Sequence, residues 1–327
     1  MKKLDNNKLK GRDLSFKKMI SRNKPLVVLV IISVAMGMMN PRFLTWGNMI
    51  TVLRQTSVNA VIATGMTFAI LIGGIDLSVG SVLAICGAIA AAMISSGIDA
   101  TLAVLATLLL GLGIGLTNGL LISKGRLQPF IATLGTMTLL RGGTLVFTQG
   151  KPISTSGARA GQLFGQIGKG FFLGIPIPVY IMLVVFIAAY YILRHMRIGR
   201  YVYSLGSNEE ATIYSGIKVD RVKLFVYGAS GMLAALAGVI VTARLGSAQP
   251  TAGTGYELDA IAAVVLGGTS MAGGVGTIFG TAVGALIIGI LNNALNLMQV
   301  SSYYQDVAKG VVILVAVLLD RQQKASR

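Results

Sequence analysis

The chain has 327 residues, 54% of them hydrophobic and only 12% charged, where a soluble domain carries about 25% charged residues. That balance excludes a soluble globular protein, and apolar residues that run on without alternating favour helices over a β-barrel. The net charge of +17 does not make it a nucleic-acid binder, because its basic residues cluster outside the apolar stretches, and a lone cysteine, Cys86, excludes an intrachain disulfide.

The first 24 residues carry Lys2, Lys3, Lys8, Lys10, Arg12, Lys17, Lys18, Arg22 and Lys24 against Asp5 and Asp13. A basic tail before an apolar segment predicts a cytoplasmic N-terminus. The segment 25–39 lacks a small-x-small cleavage site and many apolar stretches follow it, so it reads as a span, not a signal peptide. Hydropathy predicts about ten crossings, near 25–39, 56–74, 78–97, 100–122, 128–148, 175–194, 222–244, 257–270, 274–298 and 304–320. The expected fold is therefore an all-α polytopic transmembrane bundle: a basic tail (1–24), a membrane domain (25–320) and a cytoplasmic C-terminal tail (321–327).

Loop charges agree with this count. Lys124 and Arg126 follow the fourth stretch, Arg194, Arg197, Arg200, Lys218, Arg221 and Lys223 follow the sixth, and Arg321, Lys324 and Arg327 close the chain, all on the cytoplasmic side. The outside loops near 40–48, 95–99 and 299–303 hold one basic residue, Arg42; the loop 149–174, with Lys151, Arg159 and Lys169, is a partial exception.

Two glycine-rich blocks, Gly73-Gly74-Ile75-Asp76-Leu77-Ser78-Val79-Gly80-Ser81 and Gly267-Gly268-Thr269-Ser270-Met271-Ala272-Gly273-Gly274, each interrupt an apolar stretch far longer than the ~20 residues of one crossing. Paired, glycine-broken segments in two halves of a chain point to a transporter with an internal repeat and to its substrate path; the competing reading is close helix packing through small residues. Within the first block, Asp76 and Ser78 either line the path or cap the helix that starts near Val79.

The loop 195–221 is polar and long, and it carries helix signals of its own. Ser207 with Glu210 three residues on fits a capping box, Glu209 and Glu210 complement a first-turn dipole, and Gly216 stands where a C-terminal cap belongs. The prediction is a helix of about two turns below the membrane, spanning 207–217, shaped as a docking knob for another protein. Energy must then come from that protein. The chain has no G-x-x-x-x-G-K-[ST] phosphate loop, and Gly165-Gln166-Ile167-Gly168-Lys169-Gly170 lacks the hydroxyl residue. Asp76 is the only acidic residue deep in an apolar context apart from Asp306 near a span end, which is thin support for ion coupling.

The block Ile72–Ser81, the loop Gly206-Ser207-Asn208-Glu209-Glu210-Ala211 with Ser215-Gly216-Ile217, and the stretch from Ala248 to Ser270 together resemble the permease subunits of ATP-binding-cassette importers for monosaccharides. This is the ribose-type branch of the family shared with branched-chain amino-acid permeases. Asn292-Asn293 and Val300-Ser301-Ser302-Tyr303-Tyr304-Gln305 are similar to ribose permeases in particular, and the resemblance covers the chain after residue 25. It implies a homodimer in the bacterial inner membrane, two ATPase subunits below it and an extracytoplasmic sugar-binding protein above it. ATP is then used by the partner, and this chain needs no cofactor. Galactose, xylose, allose or a related furanosyl molecule would suit a similar chain, since specificity is expected to reside mostly in the binding protein.

Gly206, Ser207, Asn208, Glu209, Glu210, Ala211, Ser215, Gly216 and Ile217 are the expected ATPase-coupling residues. Asn59, Asp76, Ser78, Thr133, Thr136 and Gln249 are path candidates, because a sugar in transit needs scattered polar contacts. Arg54, Arg141 and Arg244 lie in or at the ends of apolar spans, where they either snorkel to the interface or meet acidic residues of the binding protein. His195, the only histidine, reads as an interfacial residue, and Asp306 with Lys309 as an i, i+3 ion pair. No His, Cys or carboxylate cluster supports a metal site or an enzyme. The alternative from another class is a self-sufficient, ion-coupled secondary transporter, against which the docking loop speaks.

Overall fold

The computed structural model describes residues 24–156, 159–301, 303–312 and 314. The basic tail up to residue 23 and the C-terminal tail 321–327 lie outside the described residues. In chain order the helices are α1 (Lys24–Met39), α2 (Trp46–Leu71), α3 (Val79–Ser95), α4 (Ala100–Ser123), α5 (Pro129–Thr148), α6 (Arg159–Lys169), α7 (Ile177–His195), α8 (Arg197–Ser207), α9 (Glu209–Tyr214), α10 (Val219–Leu245), α11 (Tyr256–Leu266) and α12 (Ile278–Leu297), followed by a helix over 303–312. Two small antiparallel pairs join β1 (Ile153–Ser154) to β4 (Ser247–Ala248) and β2 (Phe171–Phe172) to β3 (Ile175–Pro176).

All but the last of the expected apolar stretches coincide with helices; 304–320 falls partly outside the described residues. The expected count of about ten crossings is a different matter: among the described residues, five helices (α4, α5, α7, α10 and α12) are long and apolar enough to cross a membrane. The expected span 257–270 is instead the 11-residue α11, about 16 Å long at 1.5 Å per residue and thus half of a ~30 Å hydrocarbon core. The loop 149–174 holds a helix, α6, that the sequence reading did not anticipate.

Helix starts follow local chemistry. Asp99 accepts from the Thr101 and Leu102 amides and so caps α4; these bonds hold its carboxyl below the usual carboxylate range. Thr277 caps α12 by accepting from the Gly280 amide, and proline at the first turn starts α5 and α7.

The core is built by α2, α3, α10, α11 and α12, with Val61, Met66, Val82, Ala237, Ile240, Val264 and Ile288 among its buried side chains. Helices α4, α5 and α7 stand at the periphery and expose Leu109, Leu139, Val146, Val184 and Ile187, as a lipid-facing surface would. Lipid tails are as apolar as leucine, so close packing rather than hydrophobic exclusion holds such helices together. The most extensive pairing, α4 with α10, brings Gly111 and Gly115 against Gly228 and Gly231 so closely that a Cβ at Gly111, Gly115 or Gly231 would enter the facing backbone.

The two glycine blocks meet in space. Gly274 N–H donates to the Leu71 carbonyl at 2.9 Å, and a Cβ on Gly273 would approach the Gly73 nitrogen to 2.9 Å. From this junction the chain after α2 climbs through Gly73–Ser78 before α3 begins, and Gly80 then packs on Gly253 just ahead of α11. The N-termini of α3 and α11 are therefore neighbours inside the bundle, the arrangement of discontinuous helices.

Candidate functional site

Two regions carry functional geometry, one at each end of the bundle. The first is the α8–α9 elbow. The region 197–207, read from sequence as loop, is the amphipathic helix α8, which buries Val202 and Leu205 against Phe68, Leu71 and Val226. The expected two-turn helix over 207–217 is the six-residue α9 alone. Its N-cap is Asn208, whose Oδ1 accepts from the Ala211 amide at 2.9 Å, and not Ser207, whose hydroxyl turns back to the Tyr203 carbonyl within α8. The expected capping box of Ser207 and Glu210 does not form: Ser207 still belongs to the preceding helix and has no free amide ahead of it to satisfy. Gly216 takes the predicted left-handed conformation, φ +78°, after the helix. Replacing Asn208 by Ala removes this cap and is expected to destabilise α9 by about 1 kcal/mol, seen as faster amide exchange at Ala211 with exchange in α10 unchanged.

Around this elbow the surface is basic, with exposed apolar tips. Glu209 pairs with Lys223 at 2.6 Å, while Ile213 and Tyr214 stand exposed. A cleft of about 1020 Å³ lies beside α9, lined by Lys124, Arg126, Lys218, Arg221 and Glu209 among others. The elbow is anchored to the end of α2 and to the second glycine block with the residues just after it. Gly206 abuts the Leu71 carbonyl and Gly274, and the Tyr203 hydroxyl donates to the Gly276 carbonyl at 2.8 Å. Burial raises the Tyr203 phenol above its ordinary pKa, so it stays a donor across the physiological range.

The second region lies at the far end, where α2 starts and α10 and α12 finish. A cavity of about 530 Å³ is lined by Arg54, Thr56, Asn59, Arg244, Tyr256, Asp259, Asn292, Asn296, Gln305 and Lys309, among others. Lys309 lies 3.4 Å from Asp259 and 3.8 Å from Asp306, so the expected Asp306–Lys309 pair exists, but Lys309 also bridges to the buried Asp259 on α11. Arg54 places its guanidinium 4.7 Å from the centre of the Phe171 ring. Beside the cavity, Asn48 and Asn293 exchange two amide hydrogen bonds at 2.9 Å and tie α2 to α12.

The expected path and docking residues separate into groups. Asn59, Arg54 and Arg244 converge on the far cavity. Arg141 does not join them: it is half-buried and donates to the Ala252 carbonyl at 2.7 Å, bracing the turn ahead of α11. Asp76, Ser78 and Thr136 belong to a sealed network. The Ser78 amide and hydroxyl donate to Asp76 Oδ1 at 3.0 and 2.6 Å, and Ser230 donates to Oδ2 at 2.7 Å. Asn118 links Ser78 to Thr136 through bonds of 2.9 and 2.7 Å. The cap reading holds only in part: Ser78 makes no side-chain cap bond to α3, whereas Asp76 accepts the Ser78 amide in the turn that enters α3 and also the Ser230 hydroxyl of α10. Thr133 bonds the Pro129 and Ile75 carbonyls, and Gln249 bonds Ser247. His195 stacks on Tyr191, with ring centres 5.3 Å apart.

The sequence reading passed over Asp259, Asn292, Asn296 and Gln305 as cavity residues and Ile213 and Tyr214 as exposed tips. Nothing in the local spacing of the four cavity residues signals convergence, since they come together only when α2, α10, α11, α12 and the helix over 303–312 pack.

Residues 48–317 match the family described as branched-chain amino acid transport system / permease component. The chain belongs to that permease family. The permease is 58% identical over 297 residues to a ribose import permease protein of Haemophilus influenzae, covering 91% of this chain and 92% of the relative. It is 54% identical over 314 residues to the ribose import permease protein of Escherichia coli K12, at 96% and 98% coverage. A D-allose transport system permease protein of Escherichia coli K12 is 44% identical over 300 residues, 90% of each chain. No solved structure matches the permease.

Proposed function

We propose that this permease is the membrane-spanning subunit of an ATP-driven importer that carries ribose from a sugar-binding protein into the cytoplasm. The observation that supports this reading most is the 58% and 54% identity to proteins named as ribose import permeases, spread over more than nine-tenths of each chain. In this reading two copies form a homodimer in the bacterial inner membrane, with both termini cytoplasmic and two ATPase subunits docked below. The permease performs no catalysis, holds no cofactor and leaves ATP to its partner.

The geometry fits these roles. The α9 knob, with Asn208, Glu209, Glu210 and Ala211 and the exposed Ile213 and Tyr214, offers the ATPase an apolar tip beside a basic cleft. Its anchorage through Gly206 and Tyr203 on the end of α2 and the second glycine block gives a displacement of the knob a route to the end of α11 and to the chain that leads from α2 into α3. At the opposite end, Arg54, Arg244 and Asn59 stand where a sugar released by the binding protein would enter.

The test is uptake of labelled ribose and allose into proteoliposomes holding this chain, with and without its ATPase and binding protein. The expected result is ribose uptake that requires both partners and ATP and exceeds allose uptake. Uptake by the chain alone, driven by an ion gradient, would overturn the proposal.

A further inference from the structure

The segment 149–174, read from its charges as an outside loop, runs into a hairpin without any charge. From Gly170 to Val179 there is no polar side chain. β2 and β3 pair Phe171 with Pro176 and Phe172 with Ile175, and the two-residue loop between them is Leu173-Gly174. Both loop residues have positive φ, +49° and +77°, as in a type I′ turn, where Asn-Gly or Asp-Gly is the favoured pair. Leucine suits the first position poorly, because its side chain is crowded in the left-handed region. Leu173 nevertheless stands there 83% exposed, with Phe172 beside it 61% exposed.

The base of the hairpin is fixed, so the tip is held in place. Ile175 packs against the core, Pro176 is buried, and the Ile177 amide donates to the Gly170 carbonyl at 2.9 Å. Side chains alternate across the hairpin: Phe171 meets Arg54 of α2, and Phe172 meets Tyr180 of α7 with ring centres 5.8 Å apart. The Tyr180 hydroxyl also donates to the Phe172 carbonyl at 3.0 Å. Tyr180 heads a stripe. Leu183, Val184, Ile187 and Tyr191 follow it at i+3, i+4, i+7 and i+11, so they share one face of α7, and all four are exposed. Since α7 is long and apolar enough to cross a membrane, the hairpin tip continues a lipid-facing stripe.

Its height agrees. Arg194 and His195 close α7 at the opposite boundary. Tyr180 lies about 21 Å from Arg194 along the helix at 1.5 Å per residue, within a hydrocarbon core of ~30 Å. A surface that docks a water-soluble protein carries a polar rim, and the hairpin supplies none from its own residues.

We infer that the β2–β3 hairpin is a membrane anchor, with Phe172 and Leu173 inserted among the acyl chains at the headgroup boundary beside α7. Lipid is what covers the tip. The Tyr180 hydroxyl satisfies a carbonyl that water does not reach there, from the interfacial position that tyrosine favours. Through Phe171 on Arg54 and Phe172 on Tyr180, the anchor sets the depth of the starts of α2 and α7. The inference needs only that the chain spans a membrane, and it stands whichever solute is carried.

Two measurements on the full chain in phospholipid nanodiscs test it. Cys86 is the chain's only cysteine and is buried, so Leu173→Cys supplies a single site for a nitroxide label. Oxygen, which concentrates in the bilayer, is expected to relax that label more than a water-soluble nickel chelate does. A label on Ser96→Cys, in the exposed turn before α4, should show the opposite order. A label at 173 that meets the chelate as freely as one at 96 would place the tip in water and overturn the anchor. A label shielded from both reagents would mean that protein, such as a second copy of the chain, covers the tip, and would overturn it equally. The second measurement reads a sign. Leu173→Asp suits the turn better than leucine, so in a hairpin standing in water it should leave the thermal transition unchanged or raise it. In an inserted hairpin it puts a carboxylate at the acyl boundary, and the transition is expected to fall. An unchanged or higher transition would reject insertion.

Discussion

Gly206→Val is expected to abolish uptake. Gly206 lies in the last turn of α8, and a Cβ there would intrude on the Leu71 carbonyl and the Gly274 nitrogen, closer than real Cβ atoms approach. Both are backbone atoms, bonded to one another at 2.9 Å, so neither can swing aside as the tip of a side chain would. The α8–α9 elbow must move away from the bundle or the junction of the glycine blocks must open. Overpacking of this kind costs about 1–3 kcal/mol. Under the proposed function its functional cost exceeds its thermal one, because there the elbow would carry motion from a docked ATPase toward α3 and α11. Uptake should fall at least about tenfold, the factor that 1.4 kcal/mol produces, while the variant still inserts and its ATPase partner still hydrolyses ATP. Gly135→Ala is the control: it lies within α5, and a Cβ there meets nothing within 4 Å. Normal uptake by Gly206→Val would show that the elbow does not transmit motion through this contact.

The difference between these two glycines shows how far the sequence could be read. Hydropathy located the apolar helices but not α6, α8 or α9, since an apolar run must be hydrogen-bonded within itself in lipid. It could not tell that Tyr256–Leu266 is a half-length helix, because a buried half-helix and a span share the same composition and differ only in where the helix stops. The α9 cap was misplaced by one residue because Ser207 and Asn208 are both good caps, and only the end of α8 decides between them. The presence of a short helix at α9 was legible because its signals lie within ten consecutive residues. The far cavity was legible only as isolated parts, Arg54, Asn59 and Arg244. Its other walls come from α11, α12 and the helix over 303–312, and a polar residue in an apolar run does not announce its partner.

Asp76 is where the importer and the ion-coupled transporter make opposite predictions. Its carboxylate is wholly buried and receives the Ser78 amide, the Ser78 hydroxyl and the Ser230 hydroxyl. Through Ser78 and Asn118 it reaches Thr136, so one side chain ties the start of α3 to α4, α5 and α10. Asp76→Ala removes every one of these acceptors and leaves donors sealed from water. At about 1–3 kcal/mol per unpaired group, the loss should reach about 2–4 kcal/mol, since part of it is relieved by rearrangement within the bundle. Thermal unfolding of the purified permease in detergent should shift down by roughly 5 °C or more. Asp76→Asn keeps an oxygen for Ser78 and presents an amide to Ser230, whose hydroxyl can turn to accept, so less than half of that shift is expected. If the carboxylate is structural, Asp76→Asn also retains uptake in the complete importer. Loss of uptake with unfolding unchanged would mean that the charge itself takes part in transport, and would return the ion-coupled mechanism to first place.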